Sequence, residues 1–327
     1  RSSSTRSSNI SVSGAAYDPV LTALRQVQCQ MIPAATVLFR ADPALTGQLL
    51  EALSRGGRRV YVFVNGAIAP QIEAQLAHLD AAVIMRSATN VGQGAALNAI
   101  VGAAASAGAD QLLLFDQDST PDPHYPERLA RVVSALNIGR RLAVAGPRLI
   151  APESGHLTIR AYRKQRNHDL PYDTVEFVAT SGSLLSIESW RAIGPFRDDF
   201  FVDGIDVEWC QRAWSKGYVT VHVPEVALTH RWGNERKHDA GERSQLLLQS
   251  PVRNYYYFRN KIFTLGLPHV SRRFRVREWT RLTAQIVYLA LRAPGQWRRI
   301  VPVAVRDGVR GRLGPCPASV EALESQQ

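Results

Sequence analysis

The sequence predicts an α/β fold with a mostly parallel, doubly wound central sheet flanked by helices, and three observations carry that prediction. Short apolar runs alternate with helix-patterned stretches from Ala35 to Ala145, the spacing of strand–helix–strand units. The run Leu112–Phe115 ends on two carboxylates, Asp116 and Asp118, as a buried parallel strand does when it opens toward a ligand. After Gly146 the rhythm changes to small-residue and aromatic segments, so the second half is built differently from the first.

Taken in order, Arg1 to about Ala16 is serine-rich with few large apolar residues and is expected to be disordered, and Tyr17–Gln30 forms a candidate leading helix. Strands are expected at Ala35–Phe39, Arg59–Val64, Ala82–Met85, Leu112–Phe115 and Leu142–Ala145. Between them fall helices at Pro43–Ser54 (opened by Asp42), Pro70–His78, Gly94–Ala107 and Pro123–Leu136. Asp122 before Pro123 reads as an N-cap with proline at the first helical position. Arg148–Asp169 is expected to be a basic loop with Arg160, Arg163, Lys164 and Arg166, and Thr180–Ile187 a small-residue strand. A helix at Asp206–Lys216 and short strands at Tyr218–Val223 and Val226–Thr229 follow. A long aromatic helix, Ser244–Phe263, breaks near Gly266 and Pro268. The expected division is a flexible segment and leading helix at 1–30, a nucleotide-binding α/β domain at 31–265 and a basic helical extension at 266–327.

A chain of 327 residues can bury a large core, and its longest apolar stretches, such as Ala284–Leu291, are too short to span a bilayer. The opening residues show no secretory signal pattern, and Cys29, Cys210 and Cys316 are widely spaced with no zinc-type motif. Together these predict a reducing, cytoplasmic setting without a disulfide framework. The net charge of +11 is uneven: Ser271–Arg312 holds eleven arginines against Glu278 and Asp307. That asymmetry argues against a uniformly basic nucleic-acid-binding surface. With Trp279, Tyr288 and Trp297 interleaved, the basic end suits an anionic membrane surface, although a helical appendage with solvated arginines explains it equally well.

Four groups of residues carry chemistry. Asp116 and Asp118, two apart in an extended chain, face the same way and repel unless a cation lies between them. A hard divalent ion holding phosphate oxygens suits that pair, and an Asx turn is the plain alternative for Asp116. Gly92 and Gly94, between a strand and a helix, allow close backbone approach to a ligand or tight helix packing. Leu97 stands where a dinucleotide fingerprint needs glycine, which counts against nicotinamide binding. Asp203 and Asp206 open a predicted helix three residues apart, and a carboxylate there suits a general base. For Asp203 a capping role stays open, as does a helix ion pair for Glu208 with Arg212. His230, after a short strand, offers an imidazole to complete a metal site, and Arg253 and Arg259 could meet phosphate.

The order of these pieces resembles the family 2 inverting glycosyltransferases, and within them the bacterial rhamnosyltransferases of polysaccharide (O-antigen type) assembly. The resemblance spans about Ala35 to Phe263 and rests on Asn90-x-Gly92-x-Gly94-x-Ala96-x-Asn98, Asp116-Gln-Asp118-Ser119, Thr180-Ser-Gly182-Ser, Asp203-x-x-Asp206-x-Glu208 and Arg253-x-Tyr255-Tyr256-x-x-Arg259-Asn260. The ending Gly308-Val-Arg-Gly-Arg-Leu-Gly314 is similar to those of the rhamnosyltransferases. The resemblance implies a GT-A fold with Mg²⁺ or Mn²⁺ held by Asp116, Asp118 and His230. It implies catalysis by Asp206, with Asp203 and Glu208 beside it, and donor contacts from Asn65, Asn90, Gly92, Gly94, Asn98, Asp116, Arg253 and Arg259. The implied donor is dTDP-L-rhamnose and the implied acceptor a lipid-linked glycan at the inner membrane face. Two positions depart from the family pattern: the first strand runs out through Arg40 where members carry asparagine, and Val64 replaces the aspartate before Asn65. Both belong to the implied base pocket, and a degenerate fold kept as a binding or scaffold subunit is the alternative they raise.

Overall fold

The computed structural model describes residues 31–136, 138, 141–150, 163–165, 172–230, 250–292 and 295–324. The expected N-terminal disorder, the leading helix Tyr17–Gln30, most of the basic loop and residues 244–249 of the expected aromatic helix lie outside them. The chain from Ile32 onward forms one compact unit.

Its first half alternates as predicted: β1 (Ala34–Leu38), α1 (Pro43–Ser54), β2 (Val60–Asn65), α2 (Pro70–Ala77), β3 (Ala82–Ser87), α3 (Gln93–Ser106) and β4 (Gln111–Asp116). The short β5 (Ser119–Thr120) and α4 (Tyr125–Ala135) follow. Asp42 caps α1 by accepting from Ala44 and Leu45 N–H, which fixes where the chain leaves β1. Period-two alternation divides β4 between two cores: Leu113 and Phe115 pack with Leu38 and Val62, whereas Leu112 and Leu114 pack with Ala35 and Tyr61 on the opposite face. Asp122 differs from its expected role. Its Oδ1 accepts from His124 N–H in an Asx turn and its Oδ2 pairs with Arg128, so α4 starts two residues later with Pro126 in its first turn.

The second half comprises β6 (Leu142–Ile150), β7 (Arg163–Gln165), β8 (Asp173–Val175), β9 (Ser183–Ser186), α5 (Ile187–Ile193), α6 (Ile205–Ser215) and β10 (Val219–His230). The sheet order is β3-β2-β1-β4-β9-β6-β10-β8-β7, with β5 on β10. The β3-β2-β1-β4 part is parallel. Beyond it the sheet is mixed: β9 runs antiparallel to both β4 and β6, and β10 runs parallel to β6. Arg163 and Lys164, expected in a loop, lie on a strand at the far edge. The two short strands expected from Tyr218 to Thr229 are one strand, β10, whose register shifts between Val223 and Ala227; this bulge absorbs Pro224.

Among the described residues four helices follow: α7 (Pro251–Gly266), α8 (Arg272–Arg292), α9 (Gly295–Val309) and α10 (Ala318–Glu324). The expected boundary at 265/266 crosses a shared apolar cluster in which Tyr255, Phe258 and Ile262 of α7 pack with Phe274, Leu282, Trp297 and Ile300. Gly308 lets α9 approach α7 closely, because a Cβ there would stand 2.7 Å from Arg259 O. The basic segment is therefore a layer of the fold that begins on α7.

Candidate active site

The site opens at the carboxyl end of β4. Phe39, just past β1, donates its N–H to Gln117 Oε1 (2.8 Å), and Gln117 Nε2 donates to Phe39 O (3.0 Å). This side chain continues the sheet pairing after the β4 backbone has turned away. Ser119–Thr120 is then free to pair antiparallel with Thr229–His230, which carries His230 up to the two aspartates. His230 Nδ1 lies 3.5 Å from Asp118 Oδ1, and Nε2 lies 3.9 Å from Asp116 Oδ2. The imidazole is buried, and its Nδ1 is 3.3 Å from Ser181 Oγ, itself 2.6 Å from Ser119 Oγ. Gly182, at φ +69°, lets this loop sit against Leu228, since a Cβ would come within 2.4 Å of that side chain.

Among the described residues, Asp116, Asp118 and His230 form a group whose donor atoms all lie within 4.8 Å of one another. Two carboxylates and an imidazole suit a hard to borderline divalent cation such as Mg²⁺ or Mn²⁺. The electrostatics fit as well. Burial pushes the Asp118 carboxyl up to about 6, His230 pulls it down and Asp116 raises it further. At Asp118 burial thus outweighs the positive charge that His230 and the more distant Arg253 supply.

The second acidic group follows a strained loop. Phe201 and Asp203 hold φ of 67° and 60°, a region that side-chain-bearing residues visit at a cost of about 1–3 kcal/mol. Asn260 on α7 holds the loop there, its Nδ2 donating to the carbonyls of Phe200, Val202 and Asp203 at 3.0, 2.7 and 2.8 Å. Gly204, not Asp203, caps α6. Asp203 instead faces Arg253, with Oδ2 3.4 Å from Nε. The Arg253 guanidinium is held charged by Asp203 first, against burial, and by Asp116 and Asp118 beyond it, so it lies between the two acidic groups. Asp206 Oδ1 accepts from its neighbour Val207 N–H at 2.8 Å. It keeps a window to solvent, yet the surrounding protein pushes its carboxyl up to about 7, with Asp116 and Asp203 adding repulsion.

Several expected site residues are engaged within the fold. Glu208 is buried in an ion cluster with Arg212 (2.9 Å) and His269 (3.0 Å), which holds its carboxyl below the usual range. The i,i+4 ion pair is therefore the arrangement found, with His269 as a partner the sequence did not reveal. Arg259 is fully buried, donates to Gly314 O and Phe200 O, and stacks over Tyr256. It locks the segment at Gly314 onto α7. Asn98 exchanges two hydrogen bonds with the Phe196 backbone, both at 2.9 Å. A Cβ on Gly94 would stand 2.4 Å from Arg197 O. The space expected for a donor at Gly94 and Asn98 is filled by the chain itself, and these residues position the segment leading to Asp203. Gly92, at φ +85°, packs on Phe201 in the same way. Asn65 and Asn90 lie together at the ends of β2 and of the loop after β3. Asn65 Nδ2 donates to Asn90 Oδ1 (2.8 Å), and Asn65 Oδ1 accepts from Val91 N–H (2.8 Å).

This topology, with two acidic groups at the carboxyl edge of a mixed sheet, is the GT-A fold of nucleotide-sugar transferases. The solved structures of residues 1–349 of S. aureus TarS match it over most of its length. The complex with UDP-GlcNAc has a TM-score of 0.57 at 12% identity, covering 89% of this chain and 83% of that one. The complex with UDP has a TM-score of 0.56 at 12% identity, covering 90% and 83%. Among curated proteins, the dTDP-rhamnosyl transferase RfbF of Shigella flexneri is 24% identical over 218 residues, which is 63% of this chain and 71% of that protein. No protein-family profile matches the chain. The chain is thus similar to the family 2 rhamnosyltransferases and shares the GT-A fold with TarS.

Proposed function

We propose that the chain is a metal-dependent inverting glycosyltransferase that moves L-rhamnose from dTDP-L-rhamnose to a hydroxyl of a lipid-linked glycan in surface-polysaccharide synthesis. The single observation that best supports it is the juxtaposition of Asp116, Asp118 and His230 with a separate carboxylate, Asp206, titrating near neutrality. In this reading Asp116, Asp118 and His230 hold Mg²⁺ or Mn²⁺, which offsets the charge of the departing nucleoside diphosphate. Arg253, oriented by Asp203, meets the diphosphate from the other side. Asp206 takes the proton of the acceptor hydroxyl as its oxygen bonds to the anomeric carbon. The bond to the diphosphate oxygen breaks with its electron pair, and one in-line displacement inverts the carbon. A carboxyl with a pKa of about 7 is matched to that task. Asn65 and Asn90 frame the nucleoside end, where Arg40 and Val64 are the departures in the base pocket.

The name of the Shigella relative supports rhamnose as the sugar. The reading includes peripheral attachment at the inner membrane face through the basic extension, whose arginines suit anionic headgroups; no helix among the described residues is long and apolar enough to cross a membrane. Turnover of dTDP-L-rhamnose and of UDP-sugars with Mn²⁺ and a lipid-linked acceptor tests the proposal. Preferential release of dTDP is expected. Release of UDP alone overturns the donor, and consumption of neither donor supports a scaffold protein instead.

A further inference from the structure

Helix α8 packs one side, with Phe274, Leu282, Leu289 and the buried Glu278, onto the apolar cluster shared with α7 and leaves the opposite side open. At 100° per residue, Arg272, Arg273, Val276, Trp279, Val287 and Leu291 share that open side. Val276, Trp279, Val287 and Leu291 are 58%, 40%, 51% and 74% exposed, and they are four of the six exposed large hydrophobics among the described residues. Such clustering on one face distinguishes a surface for a partner from scattered exposed side chains. The face is about 22 Å long from Val276 to Leu291.

Its middle is less polar than its sequence implies. Thr280 Oγ1 donates to Arg277 O (2.7 Å) and Thr283 Oγ1 to Trp279 O (2.9 Å), so both hydroxyls are satisfied by the helix and their methyl groups complete the strip. The face carries no carboxylate. The helix's one acid, Glu278, is buried and paired with Lys261 (2.9 Å) and Arg277 (3.2 Å). The next helix adds exposed Arg298, Arg299 and Arg306.

We propose that this outer face of α8 is the docking surface for an anionic lipid bilayer, with Val276, Trp279, Val287 and Leu291 entering the headgroup–acyl boundary and Arg272 and Arg273 meeting lipid phosphate. The proposal rests on the membrane attachment read above and specifies the surface that makes it. Charge decides the occupant: a second copy docking face to face brings arginines and no acids, whereas anionic headgroups complement them.

The test is co-sedimentation of the full chain with phosphatidylcholine vesicles, alone or with about one third phosphatidylglycerol. Binding to the anionic vesicles only is expected. Val287→Asp/Leu291→Asp, at two exposed sites, is expected to weaken it at least about tenfold with an unchanged melting temperature. Arg272→Glu/Arg273→Glu is expected to remove the preference for anionic lipid. Equal binding by the aspartate variant, or no binding by the parent chain, overturns the proposal. So does a dimer in light scattering that the aspartate variant abolishes, which assigns the face to a second copy. Failure of the transferase reading shows separately, as absence of dTDP or UDP binding in solution without vesicles.

Discussion

The two acidic groups of the site differ in how their charge is balanced. Around Asp203 and Glu208 the protein supplies its own cations: Arg253 faces the first, and Arg212 with His269 enclose the second. Around Asp116 and Asp118 the direct partner among the described contacts is His230, with Arg253 acting from farther off, and burial still leaves Asp118 with a raised pKa. Asp206 is the exception within its own group, since no cation pairs with it in the described contacts and two other carboxylates raise it further. Carboxylates that the fold neutralises are structural, and those it leaves short of charge are available to a ligand or a proton. Sequence spacing alone does not separate the two kinds.

The largest effects should break this contrast in activity. Asp118→Ala is expected to lower turnover by about 10³-fold or more while leaving the fold intact. Asp206→Asn should cost about 10²–10⁴-fold, measured as initial rates at saturating donor. Glu208→Ala is expected to act on stability instead. It leaves the half-buried Arg212 and His269 without their carboxylate, a loss of about 1–3 kcal/mol and a fall of about 5 °C in melting temperature. If Glu208→Ala melts like the parent chain but is inactive, Glu208 belongs with the chemistry and the contrast fails.

pH sharpens it. Folded Asp118 and Asp206 hold their protons to about 6 and about 7, against the ordinary 3.8 when unfolded. Their favourable contribution is therefore complete below about pH 4 and is lost as pH rises through 6 and then 7. Metal-free protein should lose stability across that window in urea titrations, and Asp206→Asn should flatten the upper part of the curve. Activity should run the other way, rising through about pH 7 as Asp206 becomes a base. The smallest effect is expected for Gln117→Ala, which removes two hydrogen bonds worth about 1–2 kcal/mol together and should raise KM for the donor more than it lowers kcat.

Much of the fold was legible because the strands through Leu112–Phe115 are short apolar runs, too brief for core helices, and because each is followed by a helix signal. The mixed half was less so. β9 is only four residues, Ser183–Ser186, and its direction between β4 and β6 is set by tertiary pairing and not by local pattern. Asp116 and Asp118 could be found from their position at a strand end. His230 could only be guessed at, because a two-residue strand and the bulge in β10 bring it there. Gln117, Ser181, Asn260 and His269 went unassigned, since their roles are hydrogen bonds or ion pairs to segments distant in sequence. Gly92 and Gly94 left ligand contact and tight packing both open, because close approach to a ligand and close approach to the Arg197–Phe201 segment demand the same residue.

The most direct measurement is calorimetric titration of the protein with dTDP, with and without Mn²⁺, on the parent chain and on Asp118→Ala. Binding that requires Mn²⁺ in the parent and disappears in the variant is predicted. Nucleotide binding of equal strength with and without the ion, unaffected by Asp118→Ala, would contradict the central claim that the charge-poor aspartate pair holds the donor through a divalent cation.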